Sequence, residues 1–392
     1  MSSRLQAEKV YKVFGGRPEQ TVERLRKGAD REELRADGVT AAVIDASFTV
    51  EPGEIFVVMG LSGSGKSTLL RMLNGLLEPT AGTVSFDGQD LASLTAAELR
   101  TLRSRRISMV FQHFALFPHR TVLQNAAYGL EVQGVPRAER EERAAEALAL
   151  CGLEGWEKSW PDELSGGMRQ RVGLARALAT DADLLLMDES FSALDPLIRR
   201  EMQDQLLELQ KTLHKTIVFI THDLNEAMRL GDRIAVMRDG EIVQIGTAED
   251  ILVRPSDEYV ASFTRDVDRS KVLTAAAVMD RSTGGGEAGC DCPTATPDMP
   301  FDELCALCAR TPHAVEVVDA EGARVGTVSQ ERLVAVIGDV DADDAVADTD
   351  AVADTDAVAD TDAVADTDAA DGAAKAPAAC ERHTTGPEGV AA

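Results

Sequence analysis

Short runs of apolar, often β-branched residues alternate with longer stretches of helical periodicity from residue 1 to about 265. That is the sequence form of an α/β domain with a largely parallel sheet. Three runs matter most. Ile55-Phe56-Val57-Val58-Met59 leads into a Gly-rich loop, Leu184-Leu185-Leu186-Met187 into Asp188-Glu189, and Thr216-Ile217-Val218-Phe219-Ile220 into Thr221-His222. In open α/β sheets ligands sit beyond the carboxyl ends of the strands, so these three sets of residues are expected to converge on one edge. The pattern weakens from about 269. There Lys271 to Met279 opens a smaller unit, a Gly/Pro/Thr-rich loop spans 282–300, a helix-like run covers 301–309, and Ala314 to Asp319 and Gly322 to Val328 alternate like paired strands around a turn. Residues 345–368 are four copies of Ala-Val-Ala-Asp-Thr-Asp, too small and acidic to bury a core, for which disorder is the expectation. The chain thus divides into 1–268, 269–338 and 339–392.

Composition adds to this picture. With 392 residues and 44% apolar content the chain holds a proper core, mostly aliphatic because aromatics reach only 4%. The net charge of −27 is uneven, with 15 acids against 2 bases in residues 339–392. Such acidity opposes non-specific binding to nucleic acid. Nine lysines against 31 arginines, with abundant aspartate, resemble salt-adapted proteomes, although a GC-rich genome favours the same residues. No apolar run approaches the ~18–20 residues needed to cross a bilayer, so a cytoplasmic chain is expected unless a partner holds it at a membrane. Six cysteines, four of them at 290–308, do not suggest a secreted disulfide framework.

The loop Gly60-Leu61-Ser62-Gly63-Ser64-Gly65-Lys66-Ser67-Thr68, between a strand-like run and a helix-like one, has the spacing of a nucleotide-phosphate cradle. Its glycines let backbone N–H groups turn inward, Lys66 supplies a cation, Ser67 a hydroxyl for Mg²⁺, and the helix start a positive end. Asp188 follows four apolar residues, where a carboxylate reaches the same Mg²⁺, and Glu189 is placed to polarise an attacking water. An acid pair after a strand also occurs as a solvated strand end. Leu164-Ser165-Gly166-Gly167-Met168-Arg169-Gln170 removes that reading: it opens an amphipathic helix with Val172, Ala175, Leu178 and Ala179 on one side, a second anion-binding helix start.

The Ser165-Gly166-Gly167 run resembles the signature motif of ATP-binding-cassette (ABC) proteins, and the resemblance covers the first 265 residues. Gln112 is similar to the Q-loop glutamine, Ser192-Ala193-Leu194-Asp195 to the D-loop, His222 to the switch histidine and Phe14 to the aromatic that stacks on adenine. The resemblance implies an α/β, ABC-type P-loop ATPase domain with a helical subdomain, using ATP and Mg²⁺, the metal held through Ser67, Gln112 and Asp188. It implies a head-to-tail homodimer in which Ser165, Gly166 and Gly167 of one subunit close over the γ-phosphate held by Lys66 of the other. Glu189 would act as base, His222 would hold the γ-phosphate and water, Gln112 would report nucleotide state and Asp195 would link the two sites. Ser190 departs from the pattern, where Ala or Pro is more usual, and little effect is expected.

An insertion between Phe14 and Val43, together with Phe111 to His119, Phe191 to Arg199 and Met228 to Ile234, is similar to the ATPases of glycine betaine and other quaternary-amine importers. This implies transmembrane permease subunits, an extracytoplasmic solute-binding protein, a place on the cytoplasmic face of the membrane and no nucleic-acid partner. Residues 269–338 resemble a single CBS-type unit, a small α+β module known as a sensor in such importers. Within it Cys290, Cys292, Cys305 and Cys308 offer four thiols for Zn²⁺, while Cys305 and Cys308 equally fit the buried face of a helix with Phe301 and Leu304. An importer for another small solute, a soluble cassette ATPase and a purely regulatory binding module are the competing readings. The soluble cassettes usually carry two cassettes or a coiled-coil insertion, and a regulatory module leaves Glu189 unused.

Overall fold

Two sheets packed across one helix carry the first two-thirds of the chain. The computed structural model describes residues 4–338 apart from 113–114, 266, 268, 270–271, 282–292 and 312. One sheet is antiparallel, built from β1 (Leu5–Phe14), β2 (Thr40–Val50), β4 (Ala81–Phe86) and β5 (Gln89–Asp90) in the order β2-β1-β4-β5. The other holds β3 (Ile55–Met59), β6 (Ile107–Val110), β7 (Leu184–Asp188), β8 (Thr216–Thr221), β9 (Arg233–Arg238) and β10 (Glu241–Gly246) in the order β10-β9-β3-β8-β7-β6. All of its pairings are parallel except β9 with β10.

The central strands β3, β7 and β8 are buried on both faces, which explains their near-continuous apolar sequence, whereas β10 at the sheet edge has no fully buried residue. In β3, Ile55, Val57 and Met59 join one apolar core and Phe56 and Val58 the other, because successive side chains point to opposite faces. The second core lies between the sheets around α3 (Lys66–Leu73), whose Leu69, Leu70, Met72 and Leu73 meet Leu5, Val43, Val50 and Phe86 of the antiparallel sheet. Phe56 stacks on Phe48 at a centroid distance of 5.0 Å, tying the two sheets directly.

The insertion forms α1 (Pro18–Arg26) and α2 (Arg31–Ala36), which fold over the ends of β1 and β2 on a small core of Tyr11, Val13, Val22, Val39, Ala41 and Ile44. After α4 (Ala96–Arg105) a helical subdomain consists of α5 (Val122–Ala126), α6 (Tyr128–Val132), α7 (Arg137–Leu150) and α8 (Gly166–Ala179). Ala126, Ala144, Ala147 and Ala175 are buried where these helices meet, and such small residues permit close helix approach. Of the apolar side expected for α8, Val172, Ala175 and Ala179 are buried and Leu178 partly so, while Gly173, Leu174 and Ala177 are buried as well, so burial extends beyond that one side.

α9 (Pro196–Leu213) and α10 (Leu224–Leu230) are both capped by aspartate: Asp195 accepts from Ile198 N and Asp223 from Asn225 N and Glu226 N. α11 (Ala248–Val253) and α12 (Glu258–Thr264) lead to the C-terminal module. That module comprises α13 (Ala275–Val278), β11 (Thr294–Ala295), α14 (Phe301–Cys308), β12 (Val315–Val318), β13 (Arg324–Val328) and α15 (Gln330–Gly338), with strand order β11-β12-β13. The expected strand pair is present: β12 and β13 are antiparallel, with Val315 opposite Val328. Asp319 builds the turn between them, accepting at its side chain from Glu321 N and Ala323 N.

The sequence sets 269–338 apart as a separate unit. In the structure it has its own sheet, yet Leu273, Phe301, Leu304 and Val317 extend the apolar core that the parallel sheet begins, and Thr274 Oγ1 donates to Glu249 Oε1 at 2.6 Å. The described residues therefore fall in one compact unit. The hexapeptide repeats, Cys290 and Cys292 lie outside the described residues. Phe56→Ala should lower stability by about 3–5 kcal/mol, because it opens a cavity at the junction of the two sheets. Urea unfolding followed by circular dichroism checks it, and a loss below about 1 kcal/mol would mean that the intersheet core is not closely packed there.

Candidate functional site

Adjacent strand ends gather the polar residues that the sequence separates by more than 150 positions. Met59 of β3 pairs with Thr221 of β8, Asp188 of β7 with Ile220, and Val110 of β6 with Met187. The chain leaving β3 is the Gly60–Thr68 loop, that leaving β7 carries Glu189, that leaving β8 carries His222, and that leaving β6 carries Gln112. The convergence expected of the first three holds, and β6 adds the fourth.

The loop fits its place only as glycine. At Gly60, with φ 152°, a Cβ would lie 2.1 Å from the Met237 carbonyl oxygen. At Gly65, with φ 104°, a Cβ would lie 2.1 Å from the Ala42 carbonyl oxygen. No side chain survives those approaches. Lys66 begins α3, is buried, and donates from Nζ to the carbonyls of Gly60 at 2.8 Å and Leu61 at 3.0 Å. Burial pulls its pKa below the ordinary lysine value, while Glu189 and Asp188 oppose that shift. Ser67 donates to Asp188 Oδ1 at 3.1 Å. The Asp188 carboxyl is pushed above its usual range, mainly by burial; the Ser67 hydrogen bond works the other way and Glu189 adds to the rise.

Glu189 is the hub. It holds a left-handed backbone, φ 43°, costly for a side-chain-bearing residue and fixed here by its N–H donating to Ile220 O at 3.0 Å. Its Oε2 receives Gln112 Nε2 at 3.3 Å and lies 3.1 Å from His222 Nδ1, and its Oε1 is 3.9 Å from Lys66 Nζ. Gln112 Nε2 also reaches Ser192 Oγ at 3.5 Å, and that hydroxyl donates back to Glu189 O at 2.9 Å.

These residues front a cleft of about 510 Å³ lined by Phe14, Ser62, Gly63, Gly65, Lys66, Ser67, Thr68, Gln112 and Glu189. An exposed aromatic edge, a buried cation at the start of a helix beneath a glycine-rich loop, and a hydroxyl beside a carboxylate are features that suit a nucleoside triphosphate with a divalent cation. The residues present fit both groups. The cleft also has Arg31, Thr40 and Ala42 in its wall. Sequence reading missed them, since only folding of the insertion brings Arg31 there, where it pairs with Asp239. The signal available was the insertion itself.

Ser165, Gly166 and Gly167 are absent from the cleft wall. Ser165 caps α8, its Oγ accepting from Met168 N at 3.3 Å, and Gly167 lies so close to α9 that a Cβ would meet Ile198 Cγ2 at 2.4 Å. Asp195 likewise caps α9, accepting from Ile198 N at 3.1 Å. In the C-terminal module Cys308 is buried on the inner face of α14 with Phe301 and Leu304, and Cys305 is partly buried. Burial raises both thiols above the ordinary value, which disfavours thiolate. Among the described residues no group of three or more His, Cys, Asp or Glu side chains is arranged to hold a metal ion.

Ser190 Oγ is fully buried without a hydrogen-bond partner. Ser190→Ala removes an unsatisfied polar atom, so it should raise stability by about 1 kcal/mol and leave ATP turnover within about twofold. Thermal unfolding and a phosphate-release assay check this, and a destabilised variant would show that the hydroxyl is satisfied in solution.

The family model described as ABC transporter matches residues 43–192. The glycine betaine transport ATP-binding protein OpuAA of Bacillus subtilis is 59% identical over 280 residues, covering 71% of this chain and 67% of that protein. The glycine betaine/proline betaine transport system ATP-binding protein ProV of Salmonella typhimurium is 55% identical over 286 residues, 73% of this chain and 72% of that one. Among solved structures, a dimeric post-hydrolysis state of an ATP-binding cassette bound to ADP and phosphate superposes with a TM-score of 0.53 at 32% identity, covering 62% of this chain and 98% of that one. No helix among the described residues is long and apolar enough to cross a membrane. With the Gly60–Thr68 loop, Asp188, Glu189 and His222 gathered on one sheet edge, and with this identity over two-thirds or more of those relatives, the chain belongs to the ATP-binding proteins of ABC transporters.

Proposed function

We propose that this chain hydrolyses ATP with Mg²⁺ to drive import of a quaternary-amine compatible solute such as glycine betaine. One observation carries the hydrolytic reading: Glu189 stands within 3.3 Å of both Gln112 and His222, and within 3.9 Å of the cradle lysine. The solute class rests on the identity with betaine transport proteins, since the ATPase itself does not touch the cargo.

In this reading Phe14 stacks on the adenine and the Gly60–Thr68 backbone with Lys66 holds the phosphates. Ser67, Asp188 and Gln112 hold the divalent cation, which offsets charge on the phosphate oxygens when bound. Glu189 takes the proton of the attacking water, and His222 orients water and γ-phosphate. Since Ser165 to Gly167 lie outside this chain's own cleft, a second copy supplies them over the phosphates, as the dimeric form of the related cassette suggests. ATP then binds the closed dimer better than the open one, and hydrolysis reverses that preference. The membrane partner seats in the apolar groove beside Gln112, about 430 Å³ in volume and lined by Phe111, Phe117, Tyr128 and Val132. In this reading the chain sits at the cytoplasmic face of the membrane. The module at 269–338 is a CBS-like regulatory unit in this reading.

Glu189→Gln should keep ATP binding, abolish turnover and accumulate a dimer in saturating Mg-ATP. A variant that stays monomeric by light scattering counts against the shared site. In vesicles with its co-purified membrane partners, ATP turnover should rise with glycine betaine or proline betaine and not with an unrelated amino acid; the reverse outcome removes the solute assignment.

A further inference from the structure

Arg199, one turn into α9, reaches two loops at once. Its Nη2 donates to the carbonyls of Ser192 at 3.4 Å and Leu194 at 3.2 Å, on the loop after Glu189. Its Nη1 pairs with Asp223 Oδ2 at 3.2 Å, on the residue directly after His222. Its Nε lies 3.7 Å from Oε1 of Glu226, a carboxylate buried in α10 whose Oε2 receives the Thr221 hydroxyl at 2.6 Å. Thr221 Oγ1 in turn accepts from Asp223 N at 2.9 Å. One planar cation thus touches both sides of the Glu189 hub: the loop whose Ser192 meets Gln112, and the loop whose His222 meets Glu189.

We propose that Arg199 is a positioning residue that locks the Ser192–Asp195 loop to the loop carrying His222, so that displacement of either moves the other. A guanidinium suits this task because its donors are fixed in one plane, so its contacts cannot swing independently. Its anchorage is firm: Asp195 caps α9 four residues earlier, and Arg199 N donates to Asp195 O at 2.9 Å. The other contacts of Asp223 are also local, since its Oδ1 is occupied with the N-terminus of α10. Oδ2 is left for Arg199. In a dimer that completes each cleft from the second copy, this link carries closure at one loop to the histidine facing the reacting phosphate.

The inference rests on ATP hydrolysis at Glu189, so the full-length parent and Glu189→Gln fix the upper and lower limits of turnover. A parent without turnover would remove the hydrolytic reading itself. Arg199→Lys keeps the charge and loses the fork; Asp223→Asn keeps the helix cap and loses the ion pair. Each is expected to lower kcat about tenfold with KM for ATP within about twofold, and the double variant is expected to be no slower than the slower single variant. Parent-like kcat in Arg199→Lys would overturn the proposal. So would multiplying losses in the double variant, or a kcat loss that comes with a KM rise or a melting temperature lowered by more than about 5 °C, the sign of a general packing defect.

Discussion

The phosphate loop has no room for side chains where it passes between the two sheets, and the rest of the site depends on that close approach. Gly60 abuts the Met237 carbonyl at the end of β9 and Gly65 abuts Ala42 in β2. The same junction is stitched by Gly240 N donating to Ser64 O at 3.0 Å and Ile44 N donating to Gly240 O at 2.8 Å. Antiparallel sheet, β9–β10 turn and loop are therefore one rigid unit. Lys66 owes its position to this: its ammonium is buried against the loop's own carbonyls rather than free in solvent.

Around that fixed point the electrostatics are set by burial. Lys66 and Asp188 are both taken from water, and each is shifted toward its neutral form by desolvation. A phosphate and a divalent cation would reverse both penalties, since each supplies the opposite charge at contact distance. Within the site Glu189 and Asp188 already offset part of the Lys66 penalty, and Lys66 and Arg71 part of that on Asp188. The strained Glu189 backbone belongs to the same design, because it turns that side chain toward Gln112 and His222 instead of along the strand.

The C-terminal module shows where periodicity misleads about independence. Its strand pair, its turn at Asp319 and its helix at 301–308 follow from local pattern, and all three are present. Yet Leu273, Phe301 and Val317 also belong to the apolar core of the ATPase region. A weakened pattern marks a change of architecture, not a break in packing.

The sequence by itself determined the strands, the glycine-rich loop after β3, and the polar residues Asp188, Glu189 and His222 at the ends of apolar runs, because each depends on local spacing and residue type. That the Gly60–Thr68 loop, the acid pair and His222 share one sheet edge also followed from apolar runs ending in polar residues. Only the tertiary structure decided which loops meet. It placed Gln112 and His222 against the same carboxylate, brought Arg31 from the insertion into the cleft wall, and set Arg199 between two loops. It also kept Ser165 to Gly167 away from this chain's own cleft. These outcomes depend on strand order and on how helices lie across the sheet, which arise from packing between residues far apart in the chain and leave no trace in local pattern.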